Sequence, residues 1–332
     1  MKNVEVKYLS QDEYDKWDEF VERSPQGNIF NKSYWLKAVS NEIKILACIE
    51  NNKIIGGIAL PSMYNKLYRN SKLTPQLGVL LPPCDNKIKY STALSKDMEI
   101  SNELIKNLPK FSQFDYNFSY NYTNLMPFIW AGFDVNVKYT YVINDLSDLN
   151  SVHDNFQYDV KYTIKKAIKN NITVKSEYGI EEFYEINRKT FTRQNLQMPY
   201  TLEFLKNLDS VLEKHNCRKM LFAVNDNNEI IAATYLLYDK DCTFYLMGGA
   251  DPEHRNTGAQ TLLLWESIKF ASSVSKKFDF EGSMVESIER AFRQFGGEQK
   301  IIYNVNKSST FTKLAYGVAR KNKNLIRKLI KV

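Results

Sequence analysis

Four consecutive pieces decide how this chain reads: TFYLMGG (243–249), ADPEHRNTG (250–258), AQTLLLWESIKFASSV (259–274) and SKKFDFEGSMVESIERAFRQFGG (275–297). The first is apolar and β-branched or aromatic enough for a strand. The second is a loop by its Asp, Pro, Asn and Gly content, and the third predicts a long helix opened by Gly258. The fourth predicts a second strand (KKFDFEGS), a short helix and a closing FGG. The start of a helix leaves backbone N–H groups without intrahelical partners, and an anionic group can be held there. Strand alternation puts Phe278 and Phe280 on one face of the second strand and Asp279 and Glu281 on the other, about 7 Å apart. An anion cradle next to a pair of carboxylates is equipment for a group-transfer enzyme.

Working outward, KMLFAVNDNNEIIAATYLL (219–237) reads as a hairpin turning on its Asn-rich centre. The same pattern stands at 43–60, IKILACIENNKIIGGIAL, hinged on Asn51 and Asn52. Two predicted helices precede each copy. The repeat implies two similar halves with a period near half the chain; the competing reading is that hairpins with the same turn chemistry look alike. The expected fold class is α/β, in the form of two tandem domains, each a mixed, mostly antiparallel sheet flanked by helices. The boundary is expected in the Asp/Asn/Ser-rich stretch 145–155, which divides the chain into 1–150, 151–306 and a tail, 307–332.

At 332 residues, with 43% hydrophobic and 25% charged residues, the chain has the size and composition of a two-domain globular protein. The N-terminus is polar and no apolar run approaches the roughly 20 residues that span a bilayer, so a cytoplasmic location is expected. The four cysteines form no CxxC pair, and the three histidines lie far apart, so no metal site is expected. Nine of the basic residues behind the net charge of +7 fall between Lys300 and Val332, a stretch without Asp or Glu. In it Phe311, Ala315, Val318, Leu325 and Leu329 are spaced as an apolar helix face ringed by Lys and Arg. That tail can pack on its own body with a solvated rim, or attach the protein to an anionic membrane surface.

Other features have a bland reading beside a functional one. Phe114, Tyr116, Phe118, Tyr120 and Tyr122 alternate with polar residues. They suit a strand with one buried face more simply than a platform for a sugar ring. The helix at 157–171 carries Lys161, Lys165, Lys166 and Lys169, either a solvated basic face or a phosphate contact.

The strand, the loop containing Arg-x-x-Gly and the helix, placed after a three-strand meander, resemble the acyl-CoA site of GNAT acetyltransferases. Further pieces are NIFNKSYWLKAV, TPQLGVLLPP, KYTIKKAIKNNITV, FTRQNLQMPY and FDFEGSMVESIERAFRQFGG; together they make residues 28–305 resemble the double-domain, Fem-like branch of that superfamily. That branch includes enzymes that add amino acids from aminoacyl-tRNA to peptidoglycan precursors, and acetyltransferases of surface-polysaccharide synthesis. The resemblance implies that Arg255, Gly258 and Ala259 hold the pyrophosphate of acetyl-CoA. It also implies that Arg193, Gln194 and Tyr200 line the acceptor side, and that Arg293 stands where the family commonly has a Lys after Phe. The pattern departs at Gln260, which occupies the last small position of the phosphate loop. No stretch suits the helical-hairpin insertion that tRNA users often carry.

Transfer of an acyl group to an amine needs a base for the amine's proton. Glu281 and Asp279 are the candidates, against the alternative that they only hold backbone around Gly282. Three functions are open at this point. One is an N-acyltransferase using acetyl-CoA on an amino sugar or other small or lipid-linked envelope precursor. The others are an aminoacyl-tRNA-dependent transferase and a binding module that keeps the fold without catalysis.

Overall fold

The structure, a computed structural model, describes residues 4–64, 66–84, 87–193 and 195–309. In chain order the first elements are β1 (Glu5–Tyr8), α1 (Tyr14–Arg23), α2 (Ser33–Val39), β2 (Glu42–Glu50), β3 (Lys53–Tyr64), β4 (Leu67–Arg69) and β5 (Val79–Leu80). Next come α3 (Tyr90–Lys106), β6 (Gln113–Phe118), α4 (Met126–Trp130), β7 (Asp134–Ile143), α5 (Leu149–Asp154), α6 (Tyr158–Lys169) and β8 (Thr173–Lys175). They continue with α7 (Ile180–Arg193), α8 (Leu202–Lys214), β9 (Arg218–Val224), β10 (Ile230–Tyr238) and β11 (Cys242–Ala250). The last are α9 (Ala259–Val274), β12 (Lys277–Asp279), α10 (Glu286–Arg293) and β13 (Glu298–Ser308). These elements pack as two units, one of residues up to Val137 with the strand from Ile302, the other Lys138–Ile301. Among the described residues no helix is long and apolar enough to cross a membrane, and no group of three or more His, Cys, Asp or Glu could hold a metal ion.

In the first unit β2 and β3 form the expected hairpin. Asn51 and Asn52 both adopt positive φ, 49° and 61°, which matches the turn to the twist of the strands. The sheet runs β1-β2-β3-β4-β6-β13, antiparallel except where β4 meets β6. Phe114, Tyr116 and Phe118 on β6 are fully buried, and Phe114 packs edge-on against Phe133 with ring centroids 5.2 Å apart. The alternating aromatics are core, and those three rings are closed to a sugar.

In the second unit the order is β8-β9-β10-β11-β12-β7, antiparallel except for β11 beside β12. Helices cover both faces. Leu221, Ala223, Ala232 and Leu236 pack with α6 and α9 in one apolar cluster, while Phe183 of α7 meets Tyr235 from the other side with ring centroids 5.5 Å apart. Thus the expectation of two mixed, mostly antiparallel sheets flanked by helices holds.

Three expectations change in detail. The units divide at Val137 and not near residue 150, because the later part of β7 pairs with β12 (Phe278↔Ile143, Asp279↔Val142). Residues 145–155, expected as a linker, contain α5. Lys307 and Ser308 belong to β13, whose residues from Tyr303 pair with β6, so the tail expected from 307 begins in a strand; 310–332 lie outside the described residues.

Helix α7 lies directly on β11. A Cβ on Gly249 would fall 2.6 Å from Cα of Asn187 and 2.8 Å from its N, both backbone atoms that cannot swing away. Gly249→Ala is therefore expected to lower the unfolding free energy by about 1–3 kcal/mol. Urea denaturation measures this, and an unchanged midpoint would mean that the helix and strand are not in this contact.

Candidate active site

β11 and β12 pair for only three residues, Cys242↔Lys277 to Phe244↔Asp279. β12 then stops, because the Glu281 N–H donates to Asp279 Oδ1 (2.9 Å) in an Asx turn. Glu281 and Gly282 take positive φ, 59° and 62°, and the chain leaves the sheet. The sequence-based alternation therefore fails after Phe280: Asp279 is in the strand and Glu281 is in the turn. β11 runs on to Ala250 with β10 as its partner, and a register shift makes Leu246 an extra residue, a β-bulge. Gly248 and Gly249 lie just past it.

A cavity of about 500 Å³ occupies the gap. Tyr245, Leu246, Met247 and Gly248 line it from β11, Glu281, Gly282 and Ser283 from the turn, and Gln260, Thr261 and Leu264 from α9. Ile288 and Phe292 close the side toward α10.

One carboxyl residue, Glu281, lines it, and a second, Asp279, lies buried two residues earlier in the chain. Asp279 is 0% exposed; Thr140 Oγ1 donates to its Oδ1 (2.5 Å), while Oδ2 has no hydrogen-bond partner among the described residues. Burial pushes the Asp279 pKa up to about 6, against the opposing hydrogen bonds from Thr140 and the Glu281 N–H. Glu281 as a whole residue is partly exposed, yet both its carboxylate oxygens are buried and have no partner among the described residues. Burial first, and the neighbouring Asp279 second, hold its pKa well above the usual carboxylate range. A carboxyl with both oxygens desolvated at a cavity wall is a proton acceptor that lacks only a donor.

The tyrosine of β11 faces the same space. A Cβ on Gly248 would lie 1.7 Å from the Tyr245 hydroxyl, so the missing side chain makes room for that hydroxyl. Burial raises the Tyr245 pKa, opposed by a hydrogen bond with Gln260 in the first turn of α9.

The sequence-predicted residues are distributed unevenly. Glu281, Arg193 and Arg255 line the cavity, the two arginines from its exposed rim. Gly258 (φ 88°) starts α9 but faces away, because a Cβ there would meet the Thr163 carbonyl oxygen at 2.7 Å. Ala259 is buried behind it, its N–H donating to Thr257 Oγ1 (3.3 Å). The α9 residues at the cavity are instead Gln260, Thr261 and Leu264. Tyr200 is buried and bonded to Asn187 (2.7 Å); Arg293 is largely exposed and pairs with Glu289 (3.0 Å). Gln194 lies outside the described residues. Sequence reasoning passed over Tyr245, read only as part of a strand, and Thr140, 139 residues from its partner with no local signal.

Asp279 makes stability depend on pH. Its folded pKa lies above its unfolded value, so its contribution is fully present below about pH 4 and is lost as pH rises through about 6. Across that window the unfolding free energy is expected to fall by roughly 3 kcal/mol, two pKa units at 1.36 kcal/mol each. Asp279→Asn is expected to remove that share of the fall in denaturation series between pH 4 and 7, leaving the share that comes from Glu281, whose pKa is raised too; an equally steep fall in the variant would assign the effect elsewhere.

Residues 155–282 match the family model described as an acetyltransferase (GNAT) domain. No curated protein matches the chain significantly in sequence. Among solved structures the chain is similar to FemX, at a TM-score of 0.64 and 13% identity, covering 91% of this chain and 96% of that one. It is similar to a tandem GNAT protein from the clavulanic acid biosynthesis pathway, at 0.54 and 11%, covering 91% and 98%. A third likeness is the C-terminal domain of a putative lysylphosphatidylglycerol synthetase from Agrobacterium fabrum, at 0.54 and 11%, covering 91% and 96%. With residues 155–282 matching the GNAT domain model, and FemX and the tandem GNAT protein each aligned over nine-tenths of this chain, the chain has the fold that those two proteins share.

Proposed function

We propose that the second unit transfers an acyl group from an activated donor to an amine, with Glu281 as the base. The observation that carries this reading is the Glu281 carboxylate, buried at both oxygens and without a partner beside the cavity. An acceptor amine attacks the acyl carbonyl carbon, a C–N bond forms, and the bond to the leaving group breaks. The amine's proton passes to Glu281, and the departing thiolate or alkoxide takes up a proton in turn. A raised pKa makes Glu281 a stronger acceptor for the amine's proton than an ordinary carboxylate. Asp279 is placed to keep that pKa high by its charge and to hold the turn through the Glu281 N–H.

Acetyl-CoA is the donor that we favour, acting on an amino sugar or another small or lipid-linked envelope precursor. Arg255 and the first turn of α9, where Gln260 and Thr261 lie at the cavity, suit its diphosphate, since a helix start leaves backbone N–H groups without intrahelical partners. Gln260 favours a second reading, an aminoacyl-tRNA donor, because its side chain stands at the cavity and bonds Tyr245 where a diphosphate would need room. The same transfer then breaks an ester in place of a thioester. The basic stretch beyond residue 309 suits attraction to an anionic membrane, where lipid-linked acceptors are found.

Glu281→Gln keeps shape and removes the base, so kcat is expected to drop about 10²–10⁴-fold with KM little changed. The acid limb of kcat/KM, expected well above the ordinary carboxylate range in the wild type, should vanish in the variant, since activity needs the group deprotonated and is lost as pH falls through its pKa. Steady-state assays with acetyl-CoA and with aminoacyl-tRNA, each against a panel of amines, decide both points. A variant with full turnover would make Glu281 structural.

A further inference from the structure

The outer edge of β11 has lost its strand, and α7 takes the strand's place. The Asp251 N–H donates to Ile231 O of β10 (2.8 Å). By strand alternation Met247, Gly249 and Asp251 therefore turn their polar groups toward β10, and Gly248 and Ala250 turn theirs to the outer edge. β12 pairs with that edge only as far as Phe244. Beyond it, Asn187 Nδ2 donates to Gly248 O (2.8 Å), and the Ala250 N–H donates to Thr190 Oγ1 (3.1 Å). Asn187 and Thr190 are three apart on α7, so they present neighbouring groups on one helix face.

Asn187 is 2% exposed, and the chemistry fixes its orientation. The Gly248 carbonyl only accepts, so the Asn187 amide nitrogen must face it. The Tyr200 hydroxyl then donates to Asn187 Oδ1 (2.7 Å) and lies 3.1 Å from Met247 Sδ. An apolar side chain of similar size would fill this space. What the amide adds is a fixed direction for the Gly248 carbonyl, and with it for the backbone that lines the cavity.

We propose that Asn187 is a positioning residue for the transfer reaction, holding the free edge of β11 at Gly248 in register opposite Glu281, with Tyr200 locking its amide. This rests on the acyltransferase reading, because a ligand at the edge must present its acyl carbon to an amine beside Glu281. A misplacement of about 1 Å in such geometry costs on the order of 10²-fold in rate.

The test combines turnover with hydrogen exchange, which needs no reaction. In Asn187→Leu, exchange of peptides covering 245–250 is expected to rise at least about tenfold while that of 218–224 stays unchanged. Below the melting temperature, kcat/KM for the donor is expected to fall about 10–100-fold, with the acceptor KM and the acid limb of the pH profile in place. Tyr200→Phe should move both readouts the same way by less, and it carries the test if Asn187→Leu does not fold. Tyr235→Phe is the control: it removes a buried bond from Tyr235 to Asp209 (2.6 Å) and should lower Tm without changing turnover. Unchanged exchange at 245–250 overturns the proposal whatever the activity, and faster exchange with wild-type turnover overturns it too, leaving Asn187 a packing residue. A wild type inactive with every donor and amine would instead sink the acyltransferase reading, and the positioning role with it, while exchange still reports whether Asn187 holds the edge.

Discussion

Strand β12 ends after Asp279 because a carboxylate in the strand captures the N–H of the residue two places on, and most of the site follows from that bond. Without it, Glu281 would continue the ladder beside β11 and no space would open. With it, two parallel strands paired for three residues separate, and the divergence becomes a cavity lined by backbone on one side and by a carboxyl on the other. The same bond uses one oxygen of Asp279 and leaves the other without a partner. The turn that creates the cavity therefore also places a second buried carboxyl beneath it.

This arrangement works against stability. Unpartnered buried carboxyl oxygens lose hydration without compensation, and a glutamate at positive φ adds backbone strain. A fold built for stability alone would place an apolar residue at 281. The surrounding packing holds the strained turn in place: Phe278 and Phe280 are fully buried on the α9 side, and Phe292 lies 5.3 Å from Phe280 between ring centroids. Strain of this kind collects at functional sites because rigid neighbours over-determine the geometry.

The helices on the two faces have different tasks. α9 supplies its first turn to the cavity, with Gly258 chosen by the close approach to α6 and not by a ligand. α7 supplies hydrogen bonds to the edge of β11 that the sheet no longer satisfies. A sheet edge inside a domain must find partners for its polar groups, and here a helix side chain serves as well as a strand. The second unit thus keeps the edge of β11 free of a strand without leaving it unpaired.

Local patterns decided much of the molecule. The Asn-centred hairpins, the apolar periodicity of α6 to α9, the buried aromatic face of β6 and the glycine before α9 depend on residues close in sequence, and they were legible there. So was the tandem architecture, from the repeated hairpin. The rest was settled by contacts between distant segments. Thr140 meets Asp279 only because β7 pairs with β12, Asn187 meets Gly248 only because α7 rests on β11, and the outward placement of Gly258 depends on α6. The strand alternation that put Asp279 and Glu281 on one face failed because a side-chain bond, not hydrophobic pattern, ended the strand. Periodicity reports which face of an element is buried; which backbone groups remain unpaired, and what meets them, is decided when the elements pack.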